Sequence, residues 1–299
     1  MPDRGRPVTF GWFLTPDADE YPQLVAQAQA ADRLGLDLIG IQDHPYQRRF
    51  LDTWTLLALL AAQTERIRLF PDVANLPLRL PAVLAKAAAS LDVATGGRFE
   101  LGLGAGGFWD AIEGMGGPRR TPGEAVEATE EAIAIIRLMW SRERSIRFDG
   151  RHYRVHGIHP GPPPAHDIGV WVGASGPRML DLIGRLADGW VPSFPYVGVD
   201  RLPAAQARID ESAATAGRDP AAIRRVYNVG GRIHDGPTEG LLDGPPDRWV
   251  EDLTRFTVDH GMDTYVLWPQ GDPDEQLHRF AEEVAPAVRA EVGRQRGAM

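Results

Sequence analysis

Two ionisable residues, Asp43 and His44, stand side by side in the segment Gln-Asp-His-Pro-Tyr at 42–46. A carboxylate next to an imidazole is suited to proton transfer, because histidine titrates close to neutral pH. Both residues follow a run of apolar residues, 36–42, that reads as a strand. Adjacent side chains on an extended chain point to opposite sides, so a second interpretation stays open. In it, Asp43 caps the next segment and His44 only packs.

A second candidate site is a series of small residues at the end of an apolar run, 96–107. The small residues are Gly104, Ala105, Gly106 and Gly107. Together with Gly102, these glycines match the spacing G-x-G-x-x-G of dinucleotide-binding folds, which requires a helix that begins at the last glycine. Further glycines and prolines up to Pro122 argue against one regular helix there. The segment therefore predicts a strand and a long loop that could approach a flat ring or a phosphate, with a tight turn and packed aromatic residues as the alternative.

A third candidate follows the apolar run 168–172 and leads into a predicted helix, 178–186. It consists of Ala174, Ser175, Gly176, Pro177 and Arg178. Proline suits the first turn of a helix, and the free N–H groups of that turn face any bound anion. The arginine adds a positive charge that can pair with a phosphate through two hydrogen bonds. The segment favours a phosphate site over plain helix capping.

The third predicted strand, 67–73, leads into a segment with two prolines, 71–77. Proline restricts the backbone, so the segment is rigid and irregular, although on this evidence alone an ordinary loop is the favoured interpretation. No metal site is predicted, because the sequence has no cysteine and its closest histidines, His152, His156 and His159, lie in a predicted insertion. A serine-nucleophile elbow and a Walker loop are also missing from the sequence.

The candidate segments are connected by strands and helices that alternate along the chain. Apolar runs predict strands at 7–14, 36–42, 67–73, 98–103, 168–172, 189–192, 225–230 and 264–268. Helical periodicity predicts helices at 21–34, 51–63, 81–94, 123–140, 178–186, 202–216, 247–260 and 275–291. Eight such units predict an α/β fold whose parallel sheet closes into a (β/α)8 TIM barrel, with an open, doubly wound sheet as the alternative.

We expect one domain over residues 1–299, with an insertion at about 141–167 between the fourth helix and the fifth strand. The insertion should contain a hairpin with its turn at Asp149-Gly150. In barrels of this kind, active sites lie at the carboxyl ends of the strands. The candidate segments all follow predicted strands, so the barrel would bring them to one end.

The composition limits the partners of the protein. A net charge of −9 argues against a nucleic-acid or anionic-membrane binder, because both need a basic surface. No stretch is long and apolar enough to span a membrane, and we read no signal peptide from residues 1–8. We therefore expect a cytoplasmic protein that binds a small molecule, with no nucleic-acid or membrane partner.

Several phrases of the sequence are similar to those of one family. They are Gln-Asp-His-Pro-Tyr (42–46), Arg-Leu-Pro-Ala-Val-Leu-Ala-Lys (79–86), Gly-Gly-Arg-Phe-Glu-Leu-Gly-Leu-Gly-Ala-Gly (96–106), Val-Gly-Ala-Ser-Gly-Pro-Arg-Met-Leu (172–180), Ala-Asp-Gly-Trp-Val-Pro-Ser (187–193) and Phe-Ala-Glu-Glu-Val-Ala-Pro-Ala-Val-Arg (280–289). From about residue 8 to residue 290, the chain resembles the bacterial luciferase-like monooxygenase superfamily and, within it, the branch of coenzyme F420-dependent (deazaflavin) oxidoreductases. Members use either FMN or F420, so the resemblance implies a cofactor that carries out the redox chemistry.

The resemblance also implies roles for the residues near the cofactor ring. His44 becomes the leading residue for proton transfer, and Asp43 assists it and contacts the cofactor. A cis peptide bond that does not precede proline is implied at Asp72-Val73, in a bulge behind the ring, with Asn75 close by.

By the same resemblance, residues 104–107 and 174–178 would hold the tail and phosphate of the cofactor. Sugar-phosphate dehydrogenases of the family have a glutamate in the loop after the fourth strand, where this chain has Gly107, so a sugar phosphate is not the expected substrate. The expected function is hydride transfer between F420 and a small organic substrate. The alternatives are an FMN-dependent monooxygenase that uses reduced flavin and O2, and a non-catalytic flavin-binding protein. The expected partners are a flavin or F420 reductase and a second copy of the chain, joined through the apolar helix 51–63.

Overall fold

Strands and helices alternate along the described part of the chain, residues 3–298 of a computed structural model. The strands are β1 (Thr9–Leu14), β2 (Leu38–Ile41), β3 (Arg68–Pro71), β4 (Ala74–Asn75), β5 (Leu101–Gly104), β6 (Ile146–Asp149), β7 (Arg154–Ile158), β8 (Val170–Gly173), β9 (Gly189–Trp190), β10 (Arg224–Ile233), β11 (Asp243–Gly244) and β12 (Thr264–Pro269). The helices are α1 (Tyr21–Arg33), α2 (Thr53–Ala61), α3 (Pro81–Thr95), α4 (Trp109–Gly114), α5 (Pro122–Trp140), α6 (Pro177–Leu186), α7 (Leu202–Thr215), α8 (Pro246–Val258), α9 (Pro273–Arg279) and α10 (Ala285–Ala298). Residues 1, 2 and 299 lie outside the described residues. All three belong to the predicted domain, and residues 1 and 2 also belong to the segment 1–8, from which we read no signal peptide.

The main sheet is parallel and closes on itself. Its strand order is β3-β2-β1-β12-β10-β9-β8-β5-β4. Strand β3 lies within the third predicted strand, 67–73, and β4 lies just after it, in the segment with two prolines. A parallel bridge between Leu69 and Phe99 joins β3 to the residues before β5, with hydrogen bonds from Leu69 N–H to Arg98 O (2.9 Å) and from Glu100 N–H to Leu69 O (3.0 Å). The predicted (β/α)8 barrel is therefore confirmed.

Side chains fill the interior of this barrel. One buried cluster takes a side chain from almost every strand position around the ring: Phe13, Leu38, Phe70, Trp171, Val191, Val226 and Val266. A second and larger cluster lies between the sheet and the helices. Burial of each large apolar side chain stabilises the fold by about 1.5–3 kcal/mol, so the barrel is a packed, rigid support for its loops.

The helices next to the candidate site begin and end at residues suited to those positions. Helix α3 begins with Pro81 and ends at Gly96, whose φ of 69° lies in the left-handed region that glycine adopts without strain. Helix α5 begins with a capping box, in which Thr121 accepts from the Glu124 N–H and the Glu124 carboxylate accepts from the Thr121 N–H. Such a cap contributes about 1 kcal/mol and fixes where the preceding loop ends.

The predicted hairpin in the insertion is present as β6 and β7, which are antiparallel. The Gly150 N–H donates to Tyr153 O (2.9 Å) in the turn. The carboxylate of Glu131 in α5 accepts from the N–H groups of Arg151, His152 and Tyr153 at 2.7–2.9 Å. The hairpin is thus fixed to α5, the helix that precedes it in the chain.

Three segments differ from the prediction. The long loop after β5 contains the short helix α4, because Ile112 is fully buried and the helix ends at Gly114, before the glycines and prolines that follow. The third strand is interrupted at Asp72-Val73, where the peptide bond is cis, in agreement with the resemblance. The last helical segment begins earlier than predicted, at Pro273, because the Asp272 carboxylate caps its start. It then continues through a π turn, Phe280–Val284, into α10.

Candidate active site

The predicted site residues all lie at one end of the barrel. Strands β2, β3 and β4, β5, and β8 follow one another around the closed sheet. Asp43 and His44 follow β2; Asp72, Val73 and Asn75 lie between β3 and the end of β4; Gly104, Ala105, Gly106 and Gly107 lie at and after the end of β5; Ala174, Ser175, Gly176, Pro177 and Arg178 follow β8 and begin α6. The carboxyl ends of parallel barrel strands are where active sites of this fold lie, so the structure brings the candidates together as the strand order requires.

The Asp43 carboxylate is buried and held by an arginine. Arg79 Nε donates to Asp43 Oδ2 (2.7 Å) and Arg79 Nη2 donates to Oδ1 (2.8 Å). The Asn75 N–H also donates to Oδ2 (2.9 Å), which ties β4 to the segment after β2. Both carboxylate oxygen atoms therefore already accept hydrogen bonds from groups of the protein, and the side chain holds Arg79 and the Asn75 N–H in position.

His44 points to a different set of neighbours. Its Nδ1 lies 2.5 Å from Tyr46 Oη, and its ring meets Phe108 edge-on with 5.4 Å between the ring centroids. Burial lowers the pKa of His44, and the nearby Asp43 carboxylate offsets part of this. Burial raises the pKa of Tyr46 to about 12, so the phenol keeps its proton at neutral pH. When that phenol donates to Nδ1, the neutral imidazole carries its own proton on Nε2.

The glycines of β5 and β8 leave room for the third strand. A Cβ on Gly102 would lie 2.1 Å from Pro71 O, and a Cβ on Gly104 would lie 2.7 Å from Val73 Cγ2. A Cβ on Gly173 would lie 3.1 Å from the same Val73 methyl group. Glycine at these positions is therefore required by the close approach of the Asp72-Val73 segment, in addition to any contact with a ligand.

The Asp72 carboxyl group forms part of the floor of the site. Its Oδ1 accepts from Asn228 Nδ2 (3.0 Å), and the same nitrogen donates to Ser193 Oγ (3.2 Å). Its Oδ2 is buried and has no hydrogen-bond partner within residues 3–298; the same holds for Oδ1 of Asn75 and Oδ1 of Asn228. Burial raises the pKa of Asp72 to about 7, while the bond from Asn228 acts in the opposite direction.

The amino end of α6 is open and carries a positive charge. Gly176 precedes the helix and supplies no side-chain cap, and Ser175 and Arg178 are exposed. A Cβ on Gly176 or on Gly107 would meet no atom within 4 Å. Arg178 Nη1 lies 3.3 Å from the place of a Cβ on Gly123, at the start of α5, and Arg178 makes no ion pair or hydrogen bond with the described residues. The arrangement can accept an anion.

Aromatic side chains line the opening of the barrel. Trp268, at the end of β12, stacks on Phe13 with 4.9 Å between ring centroids and remains 49% exposed. Phe108 and Tyr196 are 57% and 68% exposed. Trp190, by contrast, is fully buried and donates from Nε1 to Ala174 O (2.9 Å), so it supports the segment that leads into α6. The opening is thus suited to a flat or apolar ligand.

A cavity of about 500 Å³ lies at the opposite end of the barrel. Two of the arginines that line it have partners: Arg224 Nη1 donates to Thr9 Oγ1 (3.2 Å) and Thr264 Oγ1 (2.9 Å), and Arg68 pairs with Glu100 (2.6 Å). Residues at the amino ends of barrel strands contribute to stability, whereas catalytic residues come from the carboxyl ends. The candidate site lies at the other end of the barrel, which holds His44.

A model of the luciferase-like monooxygenase family matches residues 8–239, which is most of the chain. The chain belongs to this family. An F420-dependent hydroxymycolic acid dehydrogenase of Mycobacterium tuberculosis is 35% identical over 258 residues, covering 83% of this chain and 67% of that protein. An F420-dependent glucose-6-phosphate dehydrogenase of Intrasporangium calvum is 32% identical over an alignment of 334 positions, covering 93% of this chain and 98% of that protein.

Solved structures show the same luciferase-like fold. An F420-dependent secondary alcohol dehydrogenase, in complex with an F420-acetone adduct, aligns with a TM-score of 0.84 over 95% of this chain and 99% of that one. The sequence identity is 16%, so this likeness concerns the fold. It agrees with the barrel described above.

Sequence reasoning missed two residues of the candidate site, Arg79 and Asn228. Asn228 is a polar residue inside an apolar strand, β10, and that pattern could have drawn attention to it. Arg79 lies in one of the phrases that carry the family resemblance, but nothing local showed that it pairs with Asp43. Both contacts join residues that are far apart in the chain.

Proposed function

We propose that the protein is an F420-dependent oxidoreductase that moves a hydride between the deazaflavin and a small organic substrate. The observation that carries this proposal is the identity of 35% and 32% to two F420-dependent dehydrogenases over most of the chain. The geometry supports it, because a proton-transfer residue, a polar floor and an anion-accepting helix end stand at neighbouring strand ends.

The floor of the site suits the deazaflavin ring. The three buried acceptor atoms without partners, Asp72 Oδ2, Asn75 Oδ1 and Asn228 Oδ1, call for a ligand that brings N–H or O–H donors. A deazaflavin carries an imide N–H and ring oxygen atoms, so it offers a donor to such a floor. In this proposal Val73 packs against the glycines of β5 and β8 and fixes the height of the floor.

The tail of the cofactor would lie along the two open segments. Gly106 has a φ of 98°, and its neighbour Gly107 faces open space, so this backbone can approach a ligand closely. Ser175, Gly176 and the first N–H groups of α6 would bind the phosphate, with Arg178 as the counter-charge. The same two segments were predicted from the sequence, and their role remains part of this proposal.

When bound, the deazaflavin would accept or donate the hydride, so the chain itself has to handle the proton of the substrate oxygen. His44 is suited to this task, because Tyr46 holds Nδ1 and leaves Nε2 to face the substrate. Asp43 acts as a positioning residue through Arg79 and the Asn75 N–H. Phe108 covers one edge of the imidazole and reduces its access to water.

The substrate in this proposal is an alcohol or ketone with an apolar portion. The exposed aromatic rings of Phe108, Tyr196 and Trp268 can receive such a portion. The loop after β5 has Gly107 where sugar-phosphate dehydrogenases of the family have a glutamate, which argues against a sugar phosphate. The direction of the reaction follows from which form of the cofactor is supplied.

Equilibrium titration with oxidised F420 and with FMN, each followed by fluorescence, tests the cofactor. We expect micromolar binding of F420 and none of FMN. Binding of FMN alone would support the monooxygenase alternative, which oxygen consumption with reduced FMN would then establish. A His44→Ala variant that loses affinity and nothing else would support a non-catalytic flavin-binding protein.

A homodimer remains a proposal, and the outer faces of two neighbouring helices support it. Leu59 on α2 is 44% exposed, and Val83 and Val93 on α3 are 62% and 49% exposed. Helices α2 and α3 contact each other, so these side chains can form one apolar face. Light scattering after size-exclusion chromatography tests this face: we expect a dimer for the unaltered chain and a monomer for Leu59→Glu.

The reductase partner and the cytoplasmic location also remain proposals. A reductase is needed only where the reaction consumes reduced cofactor. Activity with chemically reduced F420 and no added protein would show that the chain works without a bound reductase. Within residues 3–298, no helix has the length and apolar character that crossing a bilayer requires.

A further inference from the structure

The hydrogen bond between Asp72 and Asn228 crosses the interior of the barrel. The strand order from β3 around the sheet is β3-β2-β1-β12-β10, which places β10 four strands from β3. In a barrel of eight strand positions, β10 therefore lies opposite the segment that holds Asp72. The two side chains meet at 3.0 Å, and Phe70 and Val226, two residues earlier in their strands, belong to the interior cluster. The pair therefore forms the uppermost layer of the barrel interior, with the proposed site directly above it.

The second carboxyl oxygen of Asp72 is available to a ligand. Asp72 Oδ2 lies 2.9 Å from the place of a Cβ on Gly40, so any other residue at the end of β2 would occupy its space. It is buried and makes no hydrogen bond with residues 3–298. Nearby, Asn75 and Asn228 each direct an unpartnered Oδ1 to buried space. Three buried acceptors without donors at the carboxyl end of the barrel indicate a ligand that presents N–H or O–H groups.

The surroundings of Asp72 contain little charge. Its neighbours in the structure are uncharged: the Asn228 amide donates to it, and Phe70 and Asp72 both lie within about 3.1 Å of the place of a Cβ on Gly40. The ionisable groups on the neighbouring strand end are His44 and Asp43, and the latter is paired with Arg79. Burial raises the pKa of Asp72 to about 7, so an empty site at neutral pH holds a mixture of acid and carboxylate. A donor placed on Oδ2 favours the carboxylate.

We propose that Asp72 contacts the bound deazaflavin ring through Oδ2 and releases its proton to solvent when the ring binds. This inference rests on the function proposed above. The O–H bond of the carboxylic acid breaks, the proton passes to the buffer, and the carboxylate oxygen accepts a hydrogen bond from an N–H of the ring. No electrons are transferred in this step. The binding of oxidised F420 is thereby coupled to pH through one residue of the barrel floor.

Calorimetric titration of the full chain with oxidised F420, in buffers of different ionisation enthalpy, measures this proton. At pH 7 we expect release of about half a proton per site, because a group with a pKa of about 7 is half protonated there. The dissociation constant should fall as pH rises from 6 to 8. In Asp72→Asn, F420 should still bind, with no linked proton and a flat dependence on pH. Glu211→Gln, which changes an exposed carboxylate near the end of α7 that leads back to the amino ends of the strands, should behave like the unaltered chain.

The outcomes separate this inference from the proposed function. If the unaltered chain binds F420 with no linked proton between pH 6 and 8, the role of Asp72 is wrong and the F420 assignment stands. If FMN binds in place of F420 with the same proton release, the cofactor assignment is wrong and the role of Asp72 stands. Release that persists in Asp72→Asn assigns the proton to another group and overturns the inference, and so does failure of both cofactors to bind.

Discussion

The Asp43 carboxylate and the Arg79 guanidinium form a two-point ion pair beneath the segment that carries His44. The distances are 2.7 Å and 2.8 Å, and the Asp43 side chain is fully buried while Arg79 is 21% exposed. Burial alone would lower the pKa of Arg79, but Asp43 and Asp52 raise it above its usual value. The pair joins the end of β2 to the residues just before α3, and so sets the position of the neighbouring imidazole.

Loss of the arginine should be costly, because it leaves a buried carboxylate without a counter-charge. For Arg79→Ala we expect the free energy of unfolding to fall by about 3–5 kcal/mol. Denaturant unfolding measures this change. The matched control is Asp52→Asn, which removes the more exposed partner of Arg79 and should cost about 1 kcal/mol or less. The double variant Asp43→Asn with Arg79→Ala should recover part of the loss. If its loss equalled the sum of the losses in Asp43→Asn and Arg79→Ala, the ion pair would contribute nothing.

His44 should be required for turnover and dispensable for cofactor binding. Removal of a general acid or base usually slows the chemical step by about 10²–10⁴-fold, so we expect a fall of that size in kcat for His44→Ala. Tyr46→Phe keeps the ring and loses the hydroxyl that contacts Nδ1, so it should have a smaller effect. Steady-state kinetics with F420, beside a titration of F420 affinity, distinguishes the two steps. Unchanged kcat in His44→Ala would exclude the imidazole from the reaction.

The sequence predicted the frame of the site better than its contacts. Alternating apolar runs and helices predict a parallel barrel, and the barrel places Asp43, Asp72 and Gly104 at one end. The partners of these residues were not predictable, because Asp43–Arg79 and Asp72–Asn228 join side chains 36 and 156 positions apart. A local pattern specifies where a strand ends, whereas a contact between strands depends on the packing of the whole ring.

The glycines of β5 illustrate this difference. Their pattern was interpreted as room for a ligand, and the structure shows Val73 and Pro71 in contact range of the missing side chains. Gly102 and Gly104 differ in which atom a Cβ would meet: a backbone oxygen at 2.1 Å for Gly102, and a valine methyl at 2.7 Å for Gly104. A side chain can be shortened by mutation, but a backbone oxygen cannot be removed.

We therefore expect different behaviour from two alanine substitutions. Gly104→Ala should lower the melting temperature, and the double variant Gly104→Ala with Val73→Ala should recover part of it, because the overlapping methyl group is gone. Gly102→Ala should destabilise more strongly, by about 1–3 kcal/mol or more, and Val73→Ala should not restore it. Thermal unfolding of these four variants, of Val73→Ala alone and of the unaltered chain decides this. Equal rescue of both glycine variants would contradict the assignment of the two contacts.

His166 connects the end of the insertion to the barrel. Its Nδ1 lies 2.7 Å from Asp92 Oδ1, and its Nε2 lies 3.4 Å from Glu100 Oε1. The hydrogen bond with Glu100 raises the pKa of His166 most, Asp92 adds to this, and burial acts in the opposite direction. The folded protein therefore binds this proton more tightly than the unfolded chain does. The resulting stabilisation is complete below the unfolded pKa of about 6.5 and is lost as pH rises through the higher folded pKa.

The His166→Gln variant should lose this dependence on pH. We expect the free energy of unfolding of the unaltered chain to decrease between pH 6 and pH 8.5 by more than that of His166→Gln, because glutamine keeps polar contacts but binds no proton. Denaturant unfolding at both pH values gives the four free energies. His278→Gln, at an exposed histidine on α9, should leave the difference as it is in the unaltered chain. If His166→Gln and the unaltered chain showed the same pH dependence, another group would carry the linked proton. The contacts of Asp92 with the insertion would then be those with the Ala165 and His166 N–H groups, which do not titrate.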